Sequence, residues 1–441
     1  MHNLAIALKQ NGYVVSGSDD QIFDPSRSRL DAHGLLPETM GWDPDRLSTE
    51  IDAVVLGMHA RSDNPELIRA QELDLLVYSY PSFIHEQSVH KQRVVIGGSH
   101  GKTTITSMIL HVLNYHDREF DYLVGAQIEG FDTMVQLSDA PLIILEGDEY
   151  LSSPIDRRPK FHLYDPHIAL ISGIAWDHIN VFPTFENYLE QFEVFIDQMM
   201  DEGQLIYCAA DEQLEETVME FGPHLNCIAY QTPNYQISGG KTFIERANGQ
   251  LAEVGVFGEH NLQNLMGAKA VCAALDISED AFFEAIASFR GAARRLEEVD
   301  RNTATVVYKD FAHSPSKLKA TTEAVKRQWP DRRLVACMEL HTFSSLTKEF
   351  LLEYAGTMKE ADVAVVFYKE ETVAQKRLEP ISVEQVKSSF DRKDLIVFTD
   401  SSALETFLLE QAWTDTNLLM MSSGNFGGMQ VEDLASRLLS P

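Results

Sequence analysis

Long apolar runs are missing from this chain. No stretch approaches the roughly 18 residues that span a bilayer, and the first residues lack the apolar centre of a secretory signal. No membrane insertion is expected, and the cytoplasm is the default location. Cysteine is scarce: Cys208, Cys227, Cys272 and Cys337 lie far apart, with no C-x-x-C pair. That spacing argues against a zinc ribbon or a disulfide framework and fits buried thiols in a reducing compartment. Positive charge is short as well, with 36 Lys and Arg against 67 Asp and Glu, a net charge of -31. Such an excess of acid argues against a nucleic-acid backbone or an anionic membrane as partner. An anionic ligand must find a local basic pocket. Internal repeats and low-complexity linkers are also absent.

What is present fits a soluble globular protein. Of its 441 residues 44% are hydrophobic and 23% charged, and the length suggests about three domains. Met1 to Gln10 has the spacing of a helix, with Leu4, Ala5, Ala7 and Leu8 apolar, that Gly12 stops. Tyr13-Val14-Val15 then looks like a strand closed by Gly17-Ser18-Asp19. Further strands are expected at 53–57 and 75–78, so the first 90 or so residues look doubly wound. The alternation restarts at Val94, continues through 141–145 and 168–171, and restarts again near 290. Strands are expected there at 305–308, 333–337, 363–367, 395–398 and 417–421.

The most informative segment is Gly97-Gly98-Ser99-His100-Gly101-Lys102-Thr103-Thr104. It follows the apolar run Val94-Val95-Ile96 and precedes a helical stretch free of Pro and Gly, giving strand, glycine turn and helix start. Backbone N–H groups of such a turn face phosphates, the lysine adds a cation, and a threonine hydroxyl can hold Mg2+. The glycine usual five residues before Gly101 is Ile96 here, so the turn departs from a generic nucleoside-triphosphatase pattern. A glycine-rich surface turn with a solvated lysine is the plain alternative.

Other candidates sit at strand ends, the edge where open parallel sheets bind ligands. Glu146, after residues 142–145, is placed to hold Mg2+ on nucleotide phosphates, whereas Asp148 and Glu149 fit a solvated acidic turn. His178 follows Trp176-Asp177 and by itself reads equally as a capping or core histidine. Asn261 and Asn264 share a helical face suited to an adenine edge and a phosphate oxygen, although a helix cap explains Asn261 as well. Arg294-Arg295 offers forked donors for phosphate or a solvated basic pair. Asp310 ends a strand before Phe311-Ala312-His313-Ser314-Pro315, as a site carboxylate or as a cap.

In this order, the phosphate loop, Glu146, Asp177-His178, His260-Asn261-x-x-Asn264, Arg294-Arg295 and Asp310-x-x-His313-x-Pro315 resemble the Mur ligase superfamily along nearly the whole chain. The resemblance implies an α/β protein of three domains: a Rossmann-like UDP-sugar-binding domain over 1–90, a P-loop ATPase over 91–289 and a Rossmann-like ligase domain over 290–441. The stretches Glu146 to Tyr150, Asp156 to Phe161, Lys309 to His313 and Ser422 to Gly428 resemble the peptide-ligase branch. That branch joins the recycled tripeptide L-alanyl-γ-D-glutamyl-meso-diaminopimelate to UDP-N-acetylmuramate with ATP. The rivals are the branch that adds free L-alanine, a non-catalytic nucleotide-binding relative and, more remotely, folylpolyglutamate synthetase, disfavoured by Ser16-Gly17-Ser18-Asp19.

By matching positions, the resemblance implies that Gly98 to Thr104, Asn261, Asn264, Arg295, Asp310 and His313 bind ATP. Lys102, Glu146, His178, Arg295 and Asp310 would be catalytic, and Thr103, Glu146 and His178 would hold Mg2+. Ser18 and Asp19 would meet the nucleotide sugar. The chain departs from the family at Ser172-Gly173, where Thr-Asn is common, and at Glu339-Leu340-His341, where an arginine is typical of the peptide ligases. Residues 188–193 also lack the carbamylated lysine of some relatives. Relatives open with a strand and a glycine-rich turn ahead of the helix that begins here at Met1. On that comparison the chain is expected to lack roughly a dozen residues and to bind UDP-sugar poorly; micromolar binding in a titration would refute this.

Overall fold

From residue 53 onward the apolar runs read as strands do form strands, shifted by a residue or two at most. The computed structural model describes residues 1–128, 130–176, 181–291 and 295–440. The chain folds as two compact units, Met1–Thr232 with Gln263–Ala285, and Pro233–Leu262 with Ile286–Pro441.

In the first unit, β1 (Ala53–Leu56) and β2 (Leu76–Ser79) form a parallel pair. Seven further strands form one sheet: β3 (Gln92–Gly97), β4 (Asp121–Leu123), β5 (Val135–Gln136), β6 (Leu142–Glu146), β7 (Ile168–Ile171), β8 (Gln204–Cys208) and β9 (Asn226–Tyr230). Their order is β5-β4-β6-β3-β7-β8-β9, with β5 alone antiparallel to its neighbour. Val94, Val95, Ile96, Ile143 to Leu145 and Ala169 to Ile171 are fully buried, as expected of parallel strands covered on both faces. The chain runs from β3 outward to β4, back to β6 and then across to β7, so β3 lies at the topological switch point where such sheets bind ligands.

The expected strand at Tyr13–Val15 does not form. Its segment has no ladder partner among the described residues, and Tyr13 and Val14 are exposed. Three β-formers in a row do not make a strand without a neighbour to take up their N–H and C=O groups. The Tyr13 N–H instead closes the preceding helix on Leu8 O at 3.1 Å.

The second unit contains an antiparallel meander, β10 (Tyr235–Ser238), β11 (Lys241–Glu245) and β12 (Leu251–Val254). It also holds a six-stranded sheet made by β13 (Glu297–Arg301), β14 (Val306–Asp310), β15 (Arg333–Glu339), β16 (Val363–Phe367), β17 (Ile396–Phe398) and β18 (Thr416–Met421). The order is β13-β14-β18-β15-β16-β17, parallel except for β13. Successive side chains fill opposite faces. Tyr308, Ala336, Val366 and Leu419 enter one core, and Val307, Val335, Val365 and Leu418 the other.

Cys208, Cys272 and Cys337 are buried, but Cys227 is exposed, because β9 is an edge strand. Among the described residues no helix is long and apolar enough to cross a membrane.

Candidate active site

The phosphate loop is shaped by close approaches that leave no room for a side chain. Gly98 has φ +118°, and a Cβ there would lie 2.2 Å from Ser172 Oγ. Gly101 has φ +80°, and its Cβ would meet Asn264 Oδ1 at 2.3 Å. Both positions need glycine, by conformation and by space. From Gly101 the chain enters the helix Lys102–Tyr115, whose sides are buried nearly all round, so its N-terminus is held rigidly beneath the loop.

The end of β7 braces the other side. The Ser99 N–H donates to Gly173 O at 3.0 Å, the Ala175 N–H donates to Ser99 Oγ at 2.9 Å, and the Ser172 hydroxyl donates to His100 O. Ser172-Gly173, a departure from the family pattern, is therefore part of the loop's support. A Cβ at Gly173 would come within 3.2 Å of the His100 ring.

Register places Glu146 abreast of Ile96, one strand over from the loop. Its Oε1 accepts from Thr103 Oγ1 at 2.8 Å, and its Oε2 accepts from the Gly125 N–H at 2.7 Å. Burial and the nearby Asp148 charge raise the Glu146 carboxyl above its ordinary range, against the pull of those two donors and Lys102. A buried hydroxyl and carboxylate in contact make a hard-oxygen pair. It fits Mg2+, which takes one or two carboxylates and completes its shell with water and phosphate. No cluster of three or more His, Cys, Asp or Glu able to cage a metal occurs among the described residues.

Lys102 donates to Gly98 O and to Glu149 Oε2, each at 2.7 Å. Burial lowers its ammonium, but Glu149, Asp148 and Glu146 outweigh this and hold it above the ordinary lysine value. Asp148 and Glu149 are thus not a solvated turn. Asp148 pairs with Lys160 at 3.0 Å, Lys160 lies 4.2 Å over the Tyr150 ring, and Glu149 is fully buried. Sequence reasoning missed both partnerships.

Asn264 packs on Gly101, as just described. Asn261 donates from Nδ2 to Phe257 O at 3.1 Å. Its helix begins at Glu259, so the capping alternative for Asn261 falls. Ser18 donates to the Glu66 carboxylate, and Asp19 accepts the Asp20 N–H at 2.8 Å. His178 and Arg294 lie outside the described residues.

In the second unit, Asp310, Ser422 and Glu339 stand at the carboxyl ends of the adjacent strands β14, β18 and β15 or just beyond them. Asp310 accepts the N–H of Leu296 at 2.5 Å and of Ala312 at 2.6 Å. It does not cap the next helix, whose capping position is Ser314. Arg295 sits 5.0 Å over the Phe311 ring. His313 is tied down by its ring contact with Phe311 O at 2.8 Å and by Tyr354 OH, which donates to His313 O at 2.6 Å. Buried Glu339 accepts the Phe426 N–H at 2.8 Å and the Ser422 hydroxyl. A Cβ at Gly424 would lie 2.7 Å from His341 Nδ1, so the Ser422 to Gly428 segment wraps these two residues.

A glycine turn at a sheet's switch point, with Lys102 on buried Glu149 and Thr103 on buried Glu146, followed in sequence by a mainly parallel six-stranded sheet, defines an α/β protein with a loop of the phosphate-binding type. Residues 96–272 match the Mur ligase middle domain and 294–424 the Mur ligase, glutamate ligase domain. The chain belongs to the Mur ligase family, whose members are ATP-dependent ligases that form amide bonds. It is 26% identical to the UDP-N-acetylmuramate:L-alanyl-gamma-D-glutamyl-meso-2,6-diaminoheptandioate ligase of Haemophilus influenzae, over 97% of this chain and 95% of that one. It is 30% identical to a UDP-N-acetylmuramate:L-alanine ligase of Lactobacillus delbrueckii subsp. bulgaricus, over 82% and 81%. The crystal structure of a murein peptide ligase from Psychrobacter arcticus superposes with a TM-score of 0.65 at 22% identity, covering 100% of this chain and 95% of that one.

Proposed function

We propose that this protein joins the recycled tripeptide L-alanyl-γ-D-glutamyl-meso-diaminopimelate to the carboxylate of UDP-N-acetylmuramate, using ATP and Mg2+, in the cytoplasm. The observation that carries this reading is the match to the Haemophilus peptide ligase, which runs over 97% of this chain. The proposed domains are 1–90 for the UDP-sugar, 91–289 for ATP and 290–441 for the acceptor.

In the proposed reaction a muramate carboxylate oxygen attacks the γ-phosphorus and ADP leaves, giving an acyl phosphate. The peptide amine then attacks the acyl carbon. The tetrahedral intermediate expels phosphate, and the amine proton is lost to solvent or a base. No covalent bond to the protein forms, so catalysis rests on positioning and charge neutralisation. Lys102 would meet the β- and γ-phosphates together with the N–H groups of residues 98–104. Thr103 and Glu146 would hold one Mg2+ and His178 a second; the cations would supply positive charge to offset that of the phosphates. Asn261, Asn264, Arg295, Asp310 and His313 would bind the rest of the nucleotide, and Ser18 and Asp19 the sugar nucleotide.

The L-alanine ligase of Lactobacillus, at 30% identity, supports free alanine as the rival acceptor. Phosphate release from ATP and UDP-N-acetylmuramate separates the two. The proposal expects release with the tripeptide at least about 10²-fold faster than with L-alanine, a margin inside the roughly 10⁴- to 10⁵-fold by which a site rejects an acceptor that leaves its buried polar groups unpaired. Equal or faster release with L-alanine would move the protein to the biosynthetic branch.

A further inference from the structure

The ammonium that the proposed reaction needs at the phosphates is already engaged inside the protein. Two of the three Lys102 donors are committed, to Gly98 O and to Glu149 Oε2. Glu149 is in turn held: its Oε1 accepts from Tyr188 OH at 3.1 Å. Tyr188 is fully buried on the helix Phe185–Asp197 and meets Phe182 and Phe192 edge-on, at 5.5 and 5.2 Å between centroids. A rigid aromatic layer thus fixes the carboxylate, and the carboxylate fixes the lysine.

The three neighbouring carboxylates have different partners. Glu146 is satisfied by Thr103 and Gly125, and Asp148 by Lys160. Glu149 places its charge on Lys102. Phosphates arriving at Lys102 therefore meet a buried like charge already bonded to the same ammonium, and like charges at close range oppose one another strongly where water is excluded.

We propose that Glu149, held by Tyr188, competes with nucleotide phosphates for the Lys102 ammonium, weakening nucleotide binding and speeding the departure of ADP. Glu149 is then a positioning residue that acts through Lys102, and not a metal ligand. The inference rests on the phosphate-loop reading above.

The test is calorimetric titration of the whole chain with ADP and Mg2+, alongside steady-state kinetics in ATP. Glu149→Gln should bind ADP about 10-fold more tightly, a change of about 1.4 kcal/mol. KM for ATP and kcat should fall together, since slower product departure lowers both, and the Mg2+ requirement should not move. A residue that merely supported the fold would not tighten binding. Glu149→Asp keeps the charge but draws it back from the 2.7 Å contact, and should tighten binding in the same direction by a smaller factor. It carries the test should the glutamine variant fail to fold. Unchanged or weaker ADP binding by the variants would overturn the proposal, as would a shifted Mg2+ requirement. Failure of the unmodified chain to bind ADP would instead overturn the phosphate-loop reading, and this inference with it.

Discussion

Lys102→Ala is expected to reduce ATP-dependent turnover by about 10³-fold or more, the scale on which a single preorganised charge at a transferring phosphoryl group acts. The structure adds a second consequence. Glu149 is fully buried against Lys102, whose own side chain is 12% exposed, so removing the lysine strands a buried carboxylate. Breaking one side of such a pair costs about 3–5 kcal/mol. Loss of activity in this variant could therefore be mistaken for unfolding. The double variant Lys102→Met with Glu149→Gln separates the two effects: thermal stability should return toward that of the unmodified protein while turnover stays absent. Measurable turnover in the double variant would remove Lys102 from the chemistry.

Glu146→Gln should give the opposite combination, a fall in kcat of about 10²- to 10³-fold with stability unchanged or slightly raised. Folding raises the Glu146 carboxyl, chiefly by burial. A carboxyl whose folded value exceeds its unfolded value favours the fold below its unfolded value and loses that contribution as pH rises through the folded one. At neutral pH the charge is a burden to the fold, and an amide relieves it. The single amide oxygen of glutamine can still accept the Gly125 N–H, and its NH2 group can donate to the Thr103 hydroxyl, which turns from donor to acceptor. What is lost is the anionic oxygen offered to Mg2+, so the metal concentration for half-maximal rate should rise. Thermal melting and a Mg2+ titration of the rate check both halves; a variant that melts early and keeps its metal dependence would make Glu146 structural.

The strands that hold the site were legible because their signal is local. Residues 94–96, 142–145 and 168–171 are uninterrupted apolar runs, and a sheet covered on both faces needs such runs. The glycine turn was legible for the same reason. Tyr13–Val15 carries an equal local signal and forms no strand, because pairing depends on a neighbour that three residues cannot specify. The meander β10 to β12 went unseen: its strands run only four or five residues, and with Gln236, Lys241, Glu245 and Glu253 exposed, only one face, carrying Thr242, Ile244 and Val254, is buried, too short a pattern to mark a strand.

In the site, the residues of the loop and Glu146 come together as their spacing implied. Glu149 was misjudged because its partner is 47 positions away in the sequence. A carboxylate in a Gly-Asp-Glu turn resembles a solvated one until the lysine that neutralises it is placed beside it. Ser172-Gly173 departs from the family pattern in sequence, and its role in bracing His100 and Ser99 depends on β7 lying next to β3. Those pairings across strands carry no mark in the local sequence.

In the proposed reaction a phosphoryl group passes from ATP to the muramate carboxylate before the amide forms. UDP-N-acetylmuramate labelled with 18O in that carboxylate, turned over with ATP and the tripeptide, reports it in the inorganic phosphate. The account predicts that the released phosphate carries a carboxylate-derived 18O atom, because the oxygen that attacks the γ-phosphorus leaves with it. Phosphate free of the label, formed at the same rate as the amide, would contradict it.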